Sequence, residues 1–247
     1  MHIQIFFDTC ILFAYLNPTE LFHNDATETI AVIDNPSKFL IKGKVKDFRG
    51  YILDIVENEF FDILHYKMNQ VLQDVHDFFK KASKFSEEEL TRRLNLIKRQ
   101  NVSLANLIEY LLNNYDLSST SSLRNFLELF NKLRMVFRKK YFQLTSLRNI
   151  KFKKSPDYLR PLLDQRARNI IASYLDLTDK KILVYADHMA LRNNPAHLIT
   201  IDFAMINQRI LIMPQLPNDL NIMSLIEFGK IYLGKTEHIA LFERGKI

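Results

Sequence analysis

The sequence predicts an α/β fold, a parallel sheet flanked by helices and interrupted by an inserted helical subdomain. Two apolar runs, Ile3-Gln4-Ile5-Phe6-Phe7 and Leu198-Ile199-Thr200-Ile201, each stop at an aspartate, Asp8 and Asp202. Segments of helical spacing alternate with such runs at both ends of the chain, the pattern of β–α units whose strands pair in parallel. The middle of the chain is helical in pattern and strongly basic. The expected units are an α/β domain over 1–75 and 156–247 and a basic helical insertion over 76–155.

Taken in order, residues 2–7 read as a buried strand. Residues 10–16 read as a short helix stopped by Asn17-Pro18, because the residue before a proline leaves the helical region. A strand is expected near 39–41, after Asn35-Pro36-Ser37. From Asp54 the apolar positions Ile55, Val56, Phe60, Ile63 and Leu64 have helical spacing, and the pattern runs past Val75. Ser86-Glu87-Glu88-Glu89 is a capping box that opens another helix. Helical patterns also cover 103–113, 122–142 and 158–175. Thr178 and Asp179 cap a helix to about Arg192, ended by Asn193-Asn194-Pro195. Residues 197–201 and 210–213 read as short strands.

Composition narrows the function classes. The 247 residues are 47% hydrophobic and 25% charged, enough for one large domain or two small ones. No apolar run reaches the roughly 18 residues of a membrane span. The apolar N-terminal stretch opens without Lys or Arg and carries Asp8, which argues against a signal peptide. Cys10 is the one cysteine, so a disulfide framework and a multi-cysteine zinc site are excluded, and a cytoplasmic location is expected. Five glycines cannot spell the GxGxxG or GxSxG motifs. Gly229-Lys230-Ile231-Tyr232-Leu233-Gly234-Lys235-Thr236 does match a phosphate-loop pattern. Its bulky interior and the eleven residues that follow leave no room for a nucleotide fold.

The net charge of +6 is unevenly distributed. Residues 76–155 hold 17 Lys/Arg against 7 Asp/Glu. The stretch 129–154 contains Lys132, Arg134, Arg138, Lys139, Lys140, Arg148, Lys151, Lys153 and Lys154 and no acid, with Phe137, Tyr141, Phe142 and Phe152 among them. Cations interleaved with rings suit a nucleic acid, whose phosphates pair with the former and bases with the latter.

The acids tell a complementary story. In an open parallel sheet, ligands bind beyond the carboxyl ends of the strands, where Asp8 and Asp202 are expected. Glu59, early on a helix, and Asp179, in the first turn of another, lie between them in sequence. Four carboxylates gathered at one edge repel one another, and a hard divalent cation such as Mg²⁺ or Mn²⁺ relieves that repulsion. The matching chemistry is hydrolysis of a phosphodiester by a metal-activated water.

Phe7-Asp8-Thr9-Cys10-Ile11-Leu12 resembles the opening motif of PIN-domain nucleases. Ile55-Val56-Glu57-Asn58-Glu59-Phe60 resembles the second acidic motif of that family, with Glu59 rather than Glu57 in place. The run from Asp179 to Ala186 is similar to the third, and Leu198-Ile199-Thr200-Ile201-Asp202 to the fourth. The resemblance covers about 1–75 and 156–213. It implies a ribonuclease-like activity with Mg²⁺ or Mn²⁺. Asp8, Glu59, Asp179 and Asp202 would hold the metal directly or through water, and Thr9 and Thr200 would steady the carboxylates. Asp187, two turns after Asp179, competes as the third acid. RNA is the expected partner, with no membrane, and a second copy of the chain or another protein is left open. The rival class is a PIN-like scaffold that binds nucleic acid or protein without turnover; a third is the toxin of a toxin–antitoxin pair.

Overall fold

A computed structural model describes residues 2–17, 20–36, 47–67, 86–100, 123–191 and 193–234. The sheet has five strands, all parallel: β1 (Ile3–Phe7), β2 (Phe48–Leu53), β3 (Ile150–Lys153), β4 (Ala196–Thr200) and β5 (Asn221–Ser224), in the order β3-β2-β1-β4-β5. Every residue of β1 and of β4 is buried, as expected of central strands covered on both faces. β1 pairs with β2 from Ile3–Phe48 to Phe6–Tyr51, and with β4 from Gln4–Ala196 to Phe7–Ile199.

After β1 come α1 (Thr9–Leu16) and α2 (His23–Asp34), and after β2 come α3 (Asp54–Asp62) and a π-helical turn at Ile63–Lys67. The helix α4 (Glu87–Gln100) is opened by Ser86 as its sequence predicts, the Glu89 amide donating to Ser86 Oγ at 3.3 Å. Next are α5 (Leu123–Thr145), α6 (Arg160–Asn169), α7 (Leu177–Met189), α8 (Phe203–Ile212) and α9 (Leu225–Phe228). The chain leaves β1 toward β2 and β4 toward β5, in opposite directions along the sheet, so crossovers of the usual right hand put α1–α2 and α8 on opposite faces.

Several expectations shift. The strand expected at 39–41 lies outside the described residues, as does the helix expected over 103–113; β2 spans Phe48–Leu53, where no strand was expected. Residues 210–213 close α8 and a 3₁₀ turn rather than forming a strand. Met205, Ile206 and Ile212 bury one side of that helix, a helical spacing that the short apolar run conceals. The helix expected over 158–175 stops at Asn169, and α7 stops at Met189. The boundary drawn at 155 also moves. β3 is an edge strand of the sheet, and Phe137, Tyr141 and Leu144 of α5 are buried in the common core. The C-terminal part of 76–155 is therefore built into the α/β body. Of the phosphate-loop pattern, Gly229 is right-handed helical and Gly229–Leu233 is a π-helical turn that continues α9, and Lys235 and Thr236 lie outside the described residues.

Candidate functional site

The strand order reverses between β1 and β4. At such a switch point the connections leave in opposite directions and open a crevice beyond the carboxyl ends. β1 ends at Phe7 and β4 at Thr200, and a helix begins within three residues of each. Asp8 is the N-cap of α1 and accepts from the Thr9 amide at 2.7 Å; Asp202 is the N-cap of α8 and accepts from the Ala204 amide at 2.7 Å. One residue type thus ends the strand, satisfies an orphan amide of the next helix and lies at the electropositive helix end.

A cleft of about 350 Å³ opens there, lined by Asp8, Thr9, Cys10, Phe13, Glu20, Glu59, Ile63, Asp179, Ile201 and Asp202. The four acids expected at the site all line it. Asp8 is buried and accepts from Thr200 Oγ1 at 2.5 Å and from the Cys10 thiol at 2.9 Å. Thr200 Oγ1 in turn accepts from the Asp202 amide at 2.9 Å, so one hydroxyl links the two strand-end aspartates. Thr9 Oγ1 donates to Glu59 at 2.5 Å. Each threonine hydroxyl thus donates to one carboxylate of the cleft. Glu57 faces elsewhere, accepting from the Tyr141 hydroxyl at 2.7 Å.

Asp179 is held by a capping box with Asp176, the Asp179 amide donating to Asp176 Oδ1 at 2.9 Å and the Asp176 amide to Asp179 Oδ2 at 3.3 Å. The cap of α7 is thus Asp176, not Thr178. Burial, then the charges of Asp176, Asp8 and Asp202, push the Asp179 carboxyl up to about 7. Burial also raises Asp8, against the hydrogen bonds from Cys10, Thr200 and Thr9 that lower it, with Asp202 adding to the rise. Burial and the neighbouring Asp8 charge push the Cys10 thiol well above its usual range, so it donates as a neutral S–H.

Asp187 does not line this cleft. It is buried on the same helix, where it accepts from the Asn218 amide at 3.0 Å and meets Arg166 at 3.4 Å. It fastens the chain just before β5. Two further acids were not read from the sequence. Asp176 carried a signal, since Asp-x-x-Asp can form a reciprocal cap. Glu20 and the thiol donor Cys10 carried none.

Among the described residues lining the cleft none is Lys, Arg or His. No three His, Cys, Asp or Glu side chains of the described residues converge tightly enough to hold a bare metal ion. The donor set is nevertheless hard oxygen, and the cleft is wide. Mg²⁺ keeps several of its waters and needs only one or two direct carboxylates. A hydrated cation fits that arrangement, with the other carboxylates reached through water. A second cleft of about 300 Å³ shares Glu59 with the first, and within it Arg160 pairs with Asp54 at 2.6 Å and Lys181 with Asp164 at 2.9 Å.

The basic stretch divides. Lys132, Arg138 and Lys139 are exposed on α5, and Arg148 and Lys151 are exposed at and after its end. Arg134 is half-buried beside His65. Lys140 donates to the Leu16 carbonyl at 3.2 Å, Lys153 to the Met189 carbonyl at 2.8 Å, and Lys154 pairs with Asp157 at 3.4 Å. Of the interleaved rings, Phe137 and Tyr141 are core, and Phe142 and Phe152 are exposed.

The chain was compared with family models, curated proteins and solved structures. None matches. Fold and site therefore rest on the chain's own residues.

Proposed function

We propose that the chain is a divalent-metal-dependent nuclease of PIN-like kind, acting on RNA in preference to DNA. One observation carries the reading. Four acids from four separate places in the sequence, Asp8, Glu59, Asp179 and Asp202, line one cleft at the point where the strand order reverses. Burial first, and then the charges of Asp176, Asp8 and Asp202, make an ionised Asp179 unfavourable in this cleft, and a cation relieves both. A protein with no use for a cation has no reason to keep such an arrangement.

Asp8, Glu59, Asp179 and Asp202 would hold Mg²⁺ or Mn²⁺, which supplies charge neutralisation at the phosphate and a more acidic water. The chain's own part is positioning. Thr200 fixes Asp8 and Asp202 relative to each other, Thr9 fixes Glu59, and Asp176 fixes Asp179. The exposed cations of α5 would hold the polyanion outside the cleft.

A second reading has its own support. Because no three His, Cys, Asp or Glu side chains of the described residues come close enough to hold a bare metal ion, a nuclease-like scaffold that binds RNA without turnover is the alternative. Cleavage of a labelled single-stranded RNA with Mn²⁺, Mg²⁺ or EDTA separates the two, run beside Asp8→Asn and Asp202→Asn. Asparagine caps a helix as well as aspartate, so both variants keep their fold. The nuclease reading expects metal-dependent cleavage that drops by about a hundredfold or more in each variant, with RNA binding kept. Wild type that binds RNA but cleaves none under any metal supports the scaffold.

A further inference from the structure

Part of the acidic cleft offers a cation nothing. Beside the acids, Phe13, Ile63 and Ile201 line it, each partly open to solvent, whereas a hydrated Mg²⁺ takes oxygen ligands. The three come from separate places in the fold. Phe13 lies one turn after Thr9 on α1, so the two share a face of that helix. Ile63 opens the π-helical turn after α3, and Ile201 stands between β4 and Asp202.

Phe13 is the one aromatic among the described residues that line the cleft, and its ring is held from behind. The buried Phe60 meets it at 4.9 Å between centroids, and Phe60 is stacked on the buried Tyr141 at 5.2 Å with the planes 18° apart. A ring fixed in this way loses little freedom when a flat group stacks on it. The surroundings narrow what that group is. No Lys, Arg or His is among the described residues of the lining, so a phosphate is drawn there only through a cation on the acids. Of the remaining parts of a nucleotide, the ribose is polar and the base has an apolar face. The volume of about 350 Å³ lies within the range of small-molecule sites, about 300–1,000 Å³.

We infer that the cleft holds one nucleobase against the ring of Phe13, with Ile63 and Ile201 beside it, while a neighbouring phosphate of the strand lies toward the acids. The inference rests on the nucleic-acid binding proposed above. It divides the cleft into two tasks: the acids and their cation meet the phosphate, and the ring sets which nucleotide of the strand is placed there. Stacking of this kind tolerates any sequence, because every base has a π-face. The base must first leave its own stack to enter a concave site. Phe60 also meets Phe61 at 5.2 Å, and Arg138 lies 5.8 Å over Phe61. The ring cluster behind the base site therefore runs on to an exposed cation of α5.

Binding of a labelled single-stranded RNA to the full chain, read by fluorescence anisotropy in Ca²⁺, tests the inference. Ca²⁺ takes carboxylate oxygens as Mg²⁺ does, and cleavage is read separately with Mg²⁺ or Mn²⁺. An abasic site is walked along the strand, and the wild type is run beside Phe13→Leu, which keeps an apolar body against Phe60, and Phe13→Tyr, which keeps the ring face. Circular dichroism checks that each is folded, and Ile63→Ala provides a substitution on another element. At one position, loss of the base should weaken binding to the wild type on the order of tenfold. The same loss should cost Phe13→Leu almost nothing and Ile63→Ala less than the wild type, and Phe13→Tyr should bind the intact strand as the wild type does. A wild type that does not bind overturns the base site. So does a base loss that costs Phe13→Leu as much as the wild type at every position, the result expected if the bases meet rings elsewhere, such as Phe142. Metal-dependent cleavage without this coupling removes the base site and leaves the nuclease reading standing. Coupling without cleavage under any metal keeps the base site and removes the nuclease reading.

Discussion

Asp179 and Asp8 carry their charge under strain of different kinds. Asp8 is compensated by three donors, Thr9, Cys10 and Thr200, whereas Asp179 faces two other aspartates of the cleft and its own cap, Asp176. An acid raised in the folded state favours folding while it is protonated, and that contribution is lost as pH rises through its folded value. For Asp179 the window runs from its ordinary value near 3.8 up to about 7. In EDTA, the wild-type Tm should therefore fall across this window more steeply than that of Asp179→Asn. Asparagine is neutral throughout and its Oδ1 still accepts from the Asp176 amide, so the variant should be the more stable near neutral pH and nearly equal near pH 4. Differential scanning calorimetry at several pH values measures the gap. A gap that does not open toward neutrality would mean that neither burial nor the neighbouring aspartates penalise the Asp179 charge in the folded chain.

At the scale of elements, the side chains of Phe7 from β1 and Ile150 from β3 close over Gly50 of β2 and leave a Cβ there too little room. A Cβ there would lie 2.8 Å from Phe7 Cε2 and 3.1 Å from Ile150 Cγ1. Phe7 immediately precedes Asp8, so crowding at Gly50 is transmitted to the acid cleft. Gly50→Ala should cost about 1–3 kcal/mol, read as a lower urea midpoint at unchanged slope. Adding Phe7→Leu should recover part of that loss, which a double-variant cycle detects as coupling; strict additivity would remove the contact from the account. The same glycine explains why β2 was hard to read. Phe48-Arg49-Gly50-Tyr51-Ile52-Leu53 breaks its apolar run with a charge and a glycine, while β1 and β4 hold no glycine, acid, Lys or Arg and each leads to an aspartate within two residues. Those aspartates were legible because one residue must both stop a strand and cap a helix. β5, four residues opening on Asn221, offered no such mark. The reversal of strand order, which is what brings Asp8 beside Asp202, is a property of the crossovers and has no local sequence signature.

For the molecule as a whole, nine basic residues in one stretch of sequence do not make one basic surface. Lys140 neutralises the carbonyl end of α1, Lys153 reaches the end of α7 and stands over the Tyr51 ring at 4.8 Å, and Lys154 is paired with Asp157. Each of these three already has a partner within the chain. Lys132, Arg138 and Lys139 are turned to water on α5, and Arg138 sits over Phe61 at 5.8 Å, beside the π-helical turn whose Ile63 lines the acidic cleft. A polyanion leaving that cleft along α5 would meet these cations first. Each phosphate neutralised on a single strand contributes about 0.7 to the slope of log affinity against log salt. Replacing Lys132, Arg138 and Lys139 together by alanine should therefore flatten the slope for single-stranded RNA by about 2, measured by fluorescence anisotropy in EDTA so that no cleavage intervenes. Lys140→Ala should leave the slope unchanged and lower the Tm instead, because it removes a partner from the last turn of α1. An equal effect on the slope from both changes would show that the strand reads the summed charge of the molecule and not the face that α5 presents.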